Sequence, residues 1–369
     1  MAIRDVWAEV NLGALESNIK NIKSCIKNNA KWCAVVKADG YGHGALAVAR
    51  KCVEMGASYL AVAAISEAIV LRKGGFTTPI LILGPTPIEA AGTIVDYDIT
   101  QAVFTLEEAQ ALSHEAKMRH KVAKVHLKVD TGMHRIGIKP EQAGEMARAI
   151  TELPGLELEG MFSHFALADA EDKTYAYKQL EQFKLAIANV EKAGFSIPLK
   201  HLANSAAILE MPEAHFDMVR AGIILYGLWP SPEVKRNIDL KPLMKLCAKV
   251  AFIKELEPGE SVSYGCTWRA ERKSIIGTLP IGYADGYTRM FSGKAQVDYN
   301  GQRAPVVGRI CMDQCMVDLT DTNNIKEGDT VVLYGSQDLT IDEAADWLGT
   351  INYELPCMLS PRVPRIYKE

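Results

Sequence analysis

The chain has no long apolar run, no block of like charge and no metal-ligand spacing, and each absence removes a class of function. No stretch approaches the roughly 20 apolar residues needed to span a bilayer, so no membrane role is expected. The formal net charge of −4 at pH 7 is spread over both halves, without the basic patch that favours nucleic acid and without an acidic tail. The opening MAIRDVWAEVN carries Arg4, Asp5 and Glu9 and lacks the apolar core and cleavage site of a signal peptide, which predicts a cytoplasmic protein. The eight cysteines form no CxxC and no paired zinc spacing, and read as reduced, mostly buried small hydrophobes. With no HExxH among the eight histidines, no metal is expected. With no GxxxxGK[ST], any phosphate must be held without a P-loop.

What is present is ordinary in bulk. At 369 residues, 48% hydrophobic and 23% charged, the chain has room for two domains with their own cores, and a small molecule is the default partner. A short strand-like stretch at 6–10 precedes apolar residues Leu12, Leu15, Ile19, Ile22 and Ile26 at helical spacing, predicting a helix over 11–28. Strand-like cores then follow at 33–36, 59–63, 80–83, 100–104, 125–129, 158–162, 200–203 and 218–220. Helix-patterned stretches lie between them, among them 45–55, 106–118, 141–152 and 175–193. Parallel strands need helical crossovers, so this alternation predicts an α/β fold, a (β/α)8 TIM-like barrel over residues 1–235. After Pro230 the texture changes to short β runs with one helix near 341–348 and an Asn300-Gly301 hairpin signal. A mainly β C-terminal domain is expected over 236–369.

Barrel enzymes place their chemistry where strands meet the following loops, and the reactive residue types fall there. Lys37 ends the first strand and runs into Ala-Asp-Gly-Tyr-Gly-His-Gly, where glycine lets a backbone turn sharply. A desolvated lysine at such a place supplies the neutral amine that attacks carbonyls. On this stretch alone, a lysine snorkelling to water explains the residue equally well. Lys128 and Asp130 end the fifth strand and lead on to Arg135; His164 follows the sixth, Asn204 and Ser205 the seventh, and Arg220 the eighth. A random scatter would not align them so.

Taken in order, AVVKADGYGHG, HLKVDTGMHRIG, SHFALAD, HLANSAA, MVRAGIILYG, SVSYGCTW, GYADGY, GRICMDQ and INYELPCMLSPRVPR cover nearly the whole chain, and it closely resembles the alanine racemase family. The resemblance implies a pyridoxal 5'-phosphate-binding barrel, a β domain, and a homodimer whose active sites take residues from both subunits. It implies interconversion of L- and D-alanine, the D-enantiomer serving peptidoglycan, by a two-base mechanism. In that reading Lys37 bears the coenzyme and serves as one acid/base, and Tyr264 of the other subunit serves as the second. Arg220 faces the pyridine nitrogen, His164 lies beside the ring, and Ser205, Gly222 and Ile223 take the phosphate with Tyr41 and Tyr353. Arg135 serves the substrate carboxylate, which a bidentate guanidinium suits. Met312 and Asp313 border the substrate from the second subunit, and Tyr283, Tyr353, Arg289, Arg309 and Asp169 shape the entrance. In some members the lysine matching Lys128 carries a carbamate; an ordinary ammonium is the default here.

Each residue also has a plainer explanation. Tyr264 suits a packed β surface, Arg220 an ion pair with a surface carboxylate, Ser205 a helix N-cap, and His164 a structural position after a strand. A barrel-type pyridoxal-phosphate decarboxylase shares the lysine on the first strand but sets an acid against the pyridine nitrogen. A non-catalytic coenzyme-binding barrel or a bare Schiff-base aldolase leaves the β domain unexplained. Serine-preferring racemases are the nearer competitors, since one small group in such a pocket discriminates by only ~1–3 kcal/mol.

Overall fold

The computed structural model describes residues 4–27 and 29–369; Met1 to Ile3 of the opening segment and Asn28, the expected end of the first helix, lie outside them. The described chain forms two compact units. One takes the chain up to Ala14, Tyr41–Gly44 and Pro242–Glu369; the other takes Leu15–Gly40 and Ala45–Lys241.

A first strand, β1 (Val6–Asn11), leads into the helix Leu12–Cys25, which buries Leu15, Ile19 and Ile22 as their spacing predicts. The larger unit then alternates strand and helix. Its strands are β2 (Lys31–Val35), β3 (Tyr59–Val62), β4 (Ile80–Ile82), β5 (Thr100–Val103), β6 (Ala123–Lys128), β7 (Leu156–Phe162), β8 (Leu199–His201) and β9 (Met218–Ala221). They form one sheet in the order β8-β7-β6-β5-β4-β3-β2-β9, every pair parallel. The seam between β8 and β9 is drawn together by Asp217 N–H to Lys200 O at 3.0 Å and Arg220 N–H to Ala203 O at 3.0 Å, giving a nearly closed eight-stranded barrel. Strands β3, β4 and β5 are buried on both faces, because helices cover the outside and side chains fill the inside. The helices Leu106–Met118, Ala143–Thr151 and Thr174–Lys192 lie within two residues of their expected bounds. No described helix is long and apolar enough to cross a membrane.

The second unit holds β10 (Met244–Lys249), β11 (Phe252–Leu256), β12 (Ser261–Val262), β13 (Trp268–Arg269), β14 (Ser274–Leu279), β15 (Gln296–Tyr299), β16 (Gln302–Val307), β17 (Cys315–Asp318), β18 (Thr330–Tyr334) and β19 (Arg365–Lys368). Strands β12 and β13 pair alone; the others join a sheet ordered β11-β14-β17-β16-β15-β18-β10-β1-β19. Asn300 (φ 52°) and Gly301 (φ 84°) close the β15–β16 hairpin, as the dipeptide predicts. The helix Ile341–Leu348 is present as expected.

A boundary at 235/236 leaves β1 with the barrel, and there the structure departs from expectation. β1 is hydrogen-bonded antiparallel to β10 and parallel to β19, inside the β sheet of the second unit. Its alternation of buried Val6, Ala8 and Val10 with less buried neighbours asks for a sheet with one face covered. A parallel strand of this barrel is buried on both faces, so the pattern fits the sheet it joins.

Candidate active site

Lys37 lies two residues past β2, at the start of a turn with unusual handedness. Ala38 (φ 52°, ψ 50°), Asp39 (φ 52°, ψ 48°) and Gly40 (φ 62°, ψ 46°) are left-handed, as is Tyr41 at φ 51°. Each non-glycine residue held so costs ~1–2 kcal/mol, so the turn needs restraint from outside itself. Ala38 N–H donates to Glu67 Oε1 at 2.6 Å, and Asp39 Oδ1 accepts Ala45 N–H at 2.8 Å. A Cβ on Gly40 would stand 3.2 Å from Ala45 Cα and N, which favours glycine for space as well as for φ. The Glu67 carboxylate also accepts the N–H groups of Ala63 (2.8 Å) and Ala64 (3.2 Å) at the start of the helix Ile65–Lys73. Sequence reasoning missed Glu67. Its signal was a glutamate at the third helical position, the half of a capping box that reaches back to free N–H groups.

Arg220, on β9, is 3% exposed. Its Nη1 donates to His201 Nδ1 (2.9 Å) and His201 O (3.1 Å); its Nη2 donates to Ser163 O (2.8 Å), Leu202 O (3.0 Å) and His164 Nδ1 (3.1 Å). None of these acceptors is a carboxylate, so the surface ion pair considered for Arg220 is absent. Burial without a counter-charge lowers its pKa to about 10, still high enough to keep the guanidinium charged at neutral pH. Among the described residues its Nε–H has no protein acceptor, and that donor remains for a ligand. His164 is held well below the usual imidazole pKa, first by burial and then by the charges of Arg220, Arg135, Lys128 and Lys37. Four expected site cations therefore converge on one neutral imidazole. Burial, and Arg220 after it, also bring Lys128 down to about 7, while its Nζ donates to Val129 O at 2.6 Å.

Ser205 is buried at the start of the helix Ser205–Glu210, but it is not the cap. Asn204 caps that helix by accepting Ala207 N–H at 3.1 Å, which frees the Ser205 hydroxyl for other work. Ser205 Oγ accepts Gly222 N–H at 3.0 Å and keeps its own hydrogen to donate. Ile223 opens the 3-10 turn Ile223–Tyr226, so its N–H has no acceptor one turn back. The Ser205 hydroxyl and the Ile223 N–H at a turn start make a donor pair suited to an anion, whereas the Gly222 N–H, expected to join them, is taken by Ser205 Oγ.

In the other unit, Tyr264, Met312 and Asp313 line one open depression of about 540 Å³ with Ser263, Cys311 and Gln314. Tyr264 is 69% exposed, too exposed for a packing residue, and follows Ser263 at φ 66° and precedes Gly265 at φ 74° and Cys266 at φ 49°. Ser263 Oγ donates to Arg309 O at 2.5 Å. Asp313 accepts Arg362 at 2.6 Å; Arg362 also lies 3.3 Å from the fully buried Asp285, which pairs with Arg4 at 2.5 Å. Ala284 N–H donates to Met312 O at 3.0 Å and Tyr283 N–H to Cys311 O at 3.1 Å, so residues 311–313 are held from both sides. The rings of Tyr41 and Tyr353 meet at 6.3 Å and 45°. The expected site residues thus gather as two groups: Lys37, Arg135, His164, Ser205, Arg220, Gly222 and Ile223 in the barrel unit, and Tyr41, Tyr353, Tyr264, Met312 and Asp313 in the β unit.

Comparison with known proteins extends over nearly the whole length of the chain. Residues 10–230 match the model of the alanine racemase N-terminal domain and 243–367 that of the C-terminal domain. The chain is 53% identical to an alanine racemase of Desulfovibrio desulfuricans over 99% of both chains, and 50% identical to one of Clostridium novyi over 99% of this chain and 96% of the other. A solved alanine racemase of Clostridium difficile superposes with a TM-score of 0.97 at 45% identity, covering 100% of this chain and 97% of that one. One from Bacillus anthracis with bound L-Ala-P gives 0.95 at 38% identity, with 100% and 96% covered. With both domains matched and half of all residues identical to those of a relative, the chain belongs to the alanine racemase family.

Proposed function

We propose that this protein racemises alanine with pyridoxal 5'-phosphate as coenzyme, in a homodimer that completes each site with residues of the partner subunit. The observation that carries the reading is Arg220, a buried guanidinium whose four terminal N–H groups are taken by neutral protein acceptors and whose Nε–H is left for the ligand. The residues present fit the coenzyme: the Ser205 hydroxyl and the Ile223 N–H suit its phosphate, and Lys37 suits its aldehyde carbon. When bound, pyridoxal phosphate supplies an electron sink for the charge left when the α-proton departs.

The protein's own groups do the rest. Lys37 holds the coenzyme and then moves a proton on one face of the α-carbon; Tyr264 of the second copy moves one on the other face. The exposure of Tyr264, with Met312 and Asp313 beside it, supports a role outside its own β unit. Arg220 has donors only, so it would leave a ring nitrogen placed opposite it unprotonated and would keep the electron sink weak. An arginine at this position would thereby favour return of a proton over loss of carbon dioxide, which speaks against the decarboxylase reading. Neutral His164 can accept from Arg220 without adding charge, and Arg135 provides a guanidinium for the substrate carboxylate. In the cytoplasm such an enzyme supplies D-alanine for the cell wall.

The test is incubation of purified, coenzyme-loaded protein with L-alanine, followed by chiral chromatography. The expected result is an equal mixture of enantiomers, absent for Lys37→Ala, which also loses the visible absorbance of lysine-bound coenzyme. Absence of D-alanine, or release of carbon dioxide, overturns the assignment. Serine run in parallel measures how far the pocket discriminates.

A further inference from the structure

Behind Arg220 a chain of hydrogen bonds crosses the barrel interior. Arg220 Nη1 donates to His201 Nδ1 at 2.9 Å; His201 Nε2 lies 2.9 Å from His126 Nδ1; His126 Nε2 lies 3.3 Å from Glu159 Oε2. Glu159 also accepts Tyr59 OH at 2.6 Å on Oε2 and Lys124 Nζ at 2.6 Å on Oε1. The links come from four neighbouring positions in the barrel, β9, β8, β6 and β7, with Tyr59 reaching in from β3. Both imidazoles are fully buried and meet edge to face with ring centres 5.0 Å apart. The backbone is shaped for them. A Cβ on Gly160 would stand 2.6 Å from the His126 ring, and the β6–β7 register shifts between Val125 and His126.

The chain has only one direction. An arginine donates and never accepts, so His201 Nδ1 must carry a bare lone pair. A neutral imidazole then bears its hydrogen on Nε2, which obliges His126 Nδ1 to accept and His126 Nε2 to donate. At the far end stands Glu159, which accepts everything offered to it only when ionised. Burial lowers both histidine pKa values, and despite its own burial the hydrogen bonds from His126, Lys124 and Tyr59 hold the Glu159 carboxyl down at about 2. Neutral rings and an ionised carboxylate are the states that the direction requires.

We propose that Glu159 is a positioning residue for Arg220: through His126 and His201 it fixes both rings as Nε2–H tautomers, so that a lone pair always meets Nη1. A planar guanidinium anchored at both terminal nitrogens has a fixed Nε–H direction. The identity of the acceptor there, the coenzyme's ring nitrogen, rests on the function proposed above; the tautomer chain does not.

The experiment is a long-range ¹⁵N–¹H correlation of histidine-labelled protein, purified with its coenzyme, comparing the parent with Glu159→Gln and Tyr59→Phe. In the parent, His126 and His201 should each show a hydrogen on Nε2 alone. In Glu159→Gln the amide oxygen goes to Lys124, the NH2 faces His126 Nε2, and the hydrogen of His126 moves to Nδ1. That reversal sets N–H against N–H at the Arg220 end, and kcat should fall by roughly tenfold, the loss of one hydrogen bond to a charged group. Tyr59→Phe removes a donor without reversing the chain and should leave both tautomers as they were. A hydrogen on His201 Nδ1 in the parent, or unchanged rings in Glu159→Gln, overturns the proposal. Should Glu159→Gln fail to fold, Glu159→Ala takes its place: loss of the acceptor should let His126 populate its Nδ1–H form, and rings left wholly in the Nε2–H form overturn the proposal. Ring protonation is read without turnover, so a protein that failed to racemise alanine would still answer this question.

Discussion

Gly42→Ala places a methyl group where backbone already stands. Gly42 has φ +78°, and a Cβ there would lie 1.9 Å from Pro356 O, 2.5 Å from Pro356 C and 3.1 Å from Cys357 N. These atoms belong to the helix Glu354–Met358, so no side chain can swing aside. Two costs add: ~1 kcal/mol for a left-handed residue with a Cβ, and ~1–3 kcal/mol for forcing volume into a packed place. The sum is ~2–4 kcal/mol. Gly259 is the internal control, with φ +92° and nothing within 4 Å of its would-be Cβ, so only the first cost applies. In a unit of this size each kcal/mol moves the melting temperature by about 2–4 °C. Scanning calorimetry should therefore find Gly42→Ala melting roughly 4–16 °C below the parent, and Gly259→Ala only about 2–4 °C below it. Arg365 Nε donates to Gly42 O at 2.9 Å, so a displaced loop also strains that hydrogen bond in the Gly42 variant alone. Equal melting of the two variants would refute the reasoning, because the Pro356 contact would then cost nothing.

Two further outcomes follow from the site. The folded-state pKa of Lys128 is lowered from 10.5 to about 7 by burial and by Arg220, so between those values the unfolded chain holds a proton that the folded chain does not. Stability should thus rise with pH across that window, by up to about 4 kcal/mol at pH 10 relative to Lys128→Met, which lacks the group; parallel urea-unfolding curves at every pH would contradict this. Tyr264→Phe should slow α-deuterium exchange far more for one alanine enantiomer than for the other, by roughly 100-fold, as removal of one acid/base does. Equal slowing of both would argue against a base on each face.

Period and order alone determined a good deal about this protein. Two-residue and 3.6-residue patterns are local properties, so they placed all eight barrel strands, the long helices and the Asn300-Gly301 hairpin close to where the structure has them. The strand ends likewise pointed to Lys37, Arg135, His164, Ser205 and Arg220, all of which lie in the barrel unit, because a parallel barrel brings every strand end to one face. Tertiary structure decided whatever depends on a partner distant in the chain. β1 reads as a strand from its own alternation, yet only the pairing with β10 and β19, more than two hundred residues away, assigns it to the β sheet. Ser205 and Asn204 are both good caps by residue type, and the fold chose Asn204. The left-handed turn after Lys37 depends on Glu67, and the hydrogen on each buried imidazole depends on Arg220 at one end and Glu159 at the other. A hydrogen bond's direction is set by what stands opposite, and no local pattern records that.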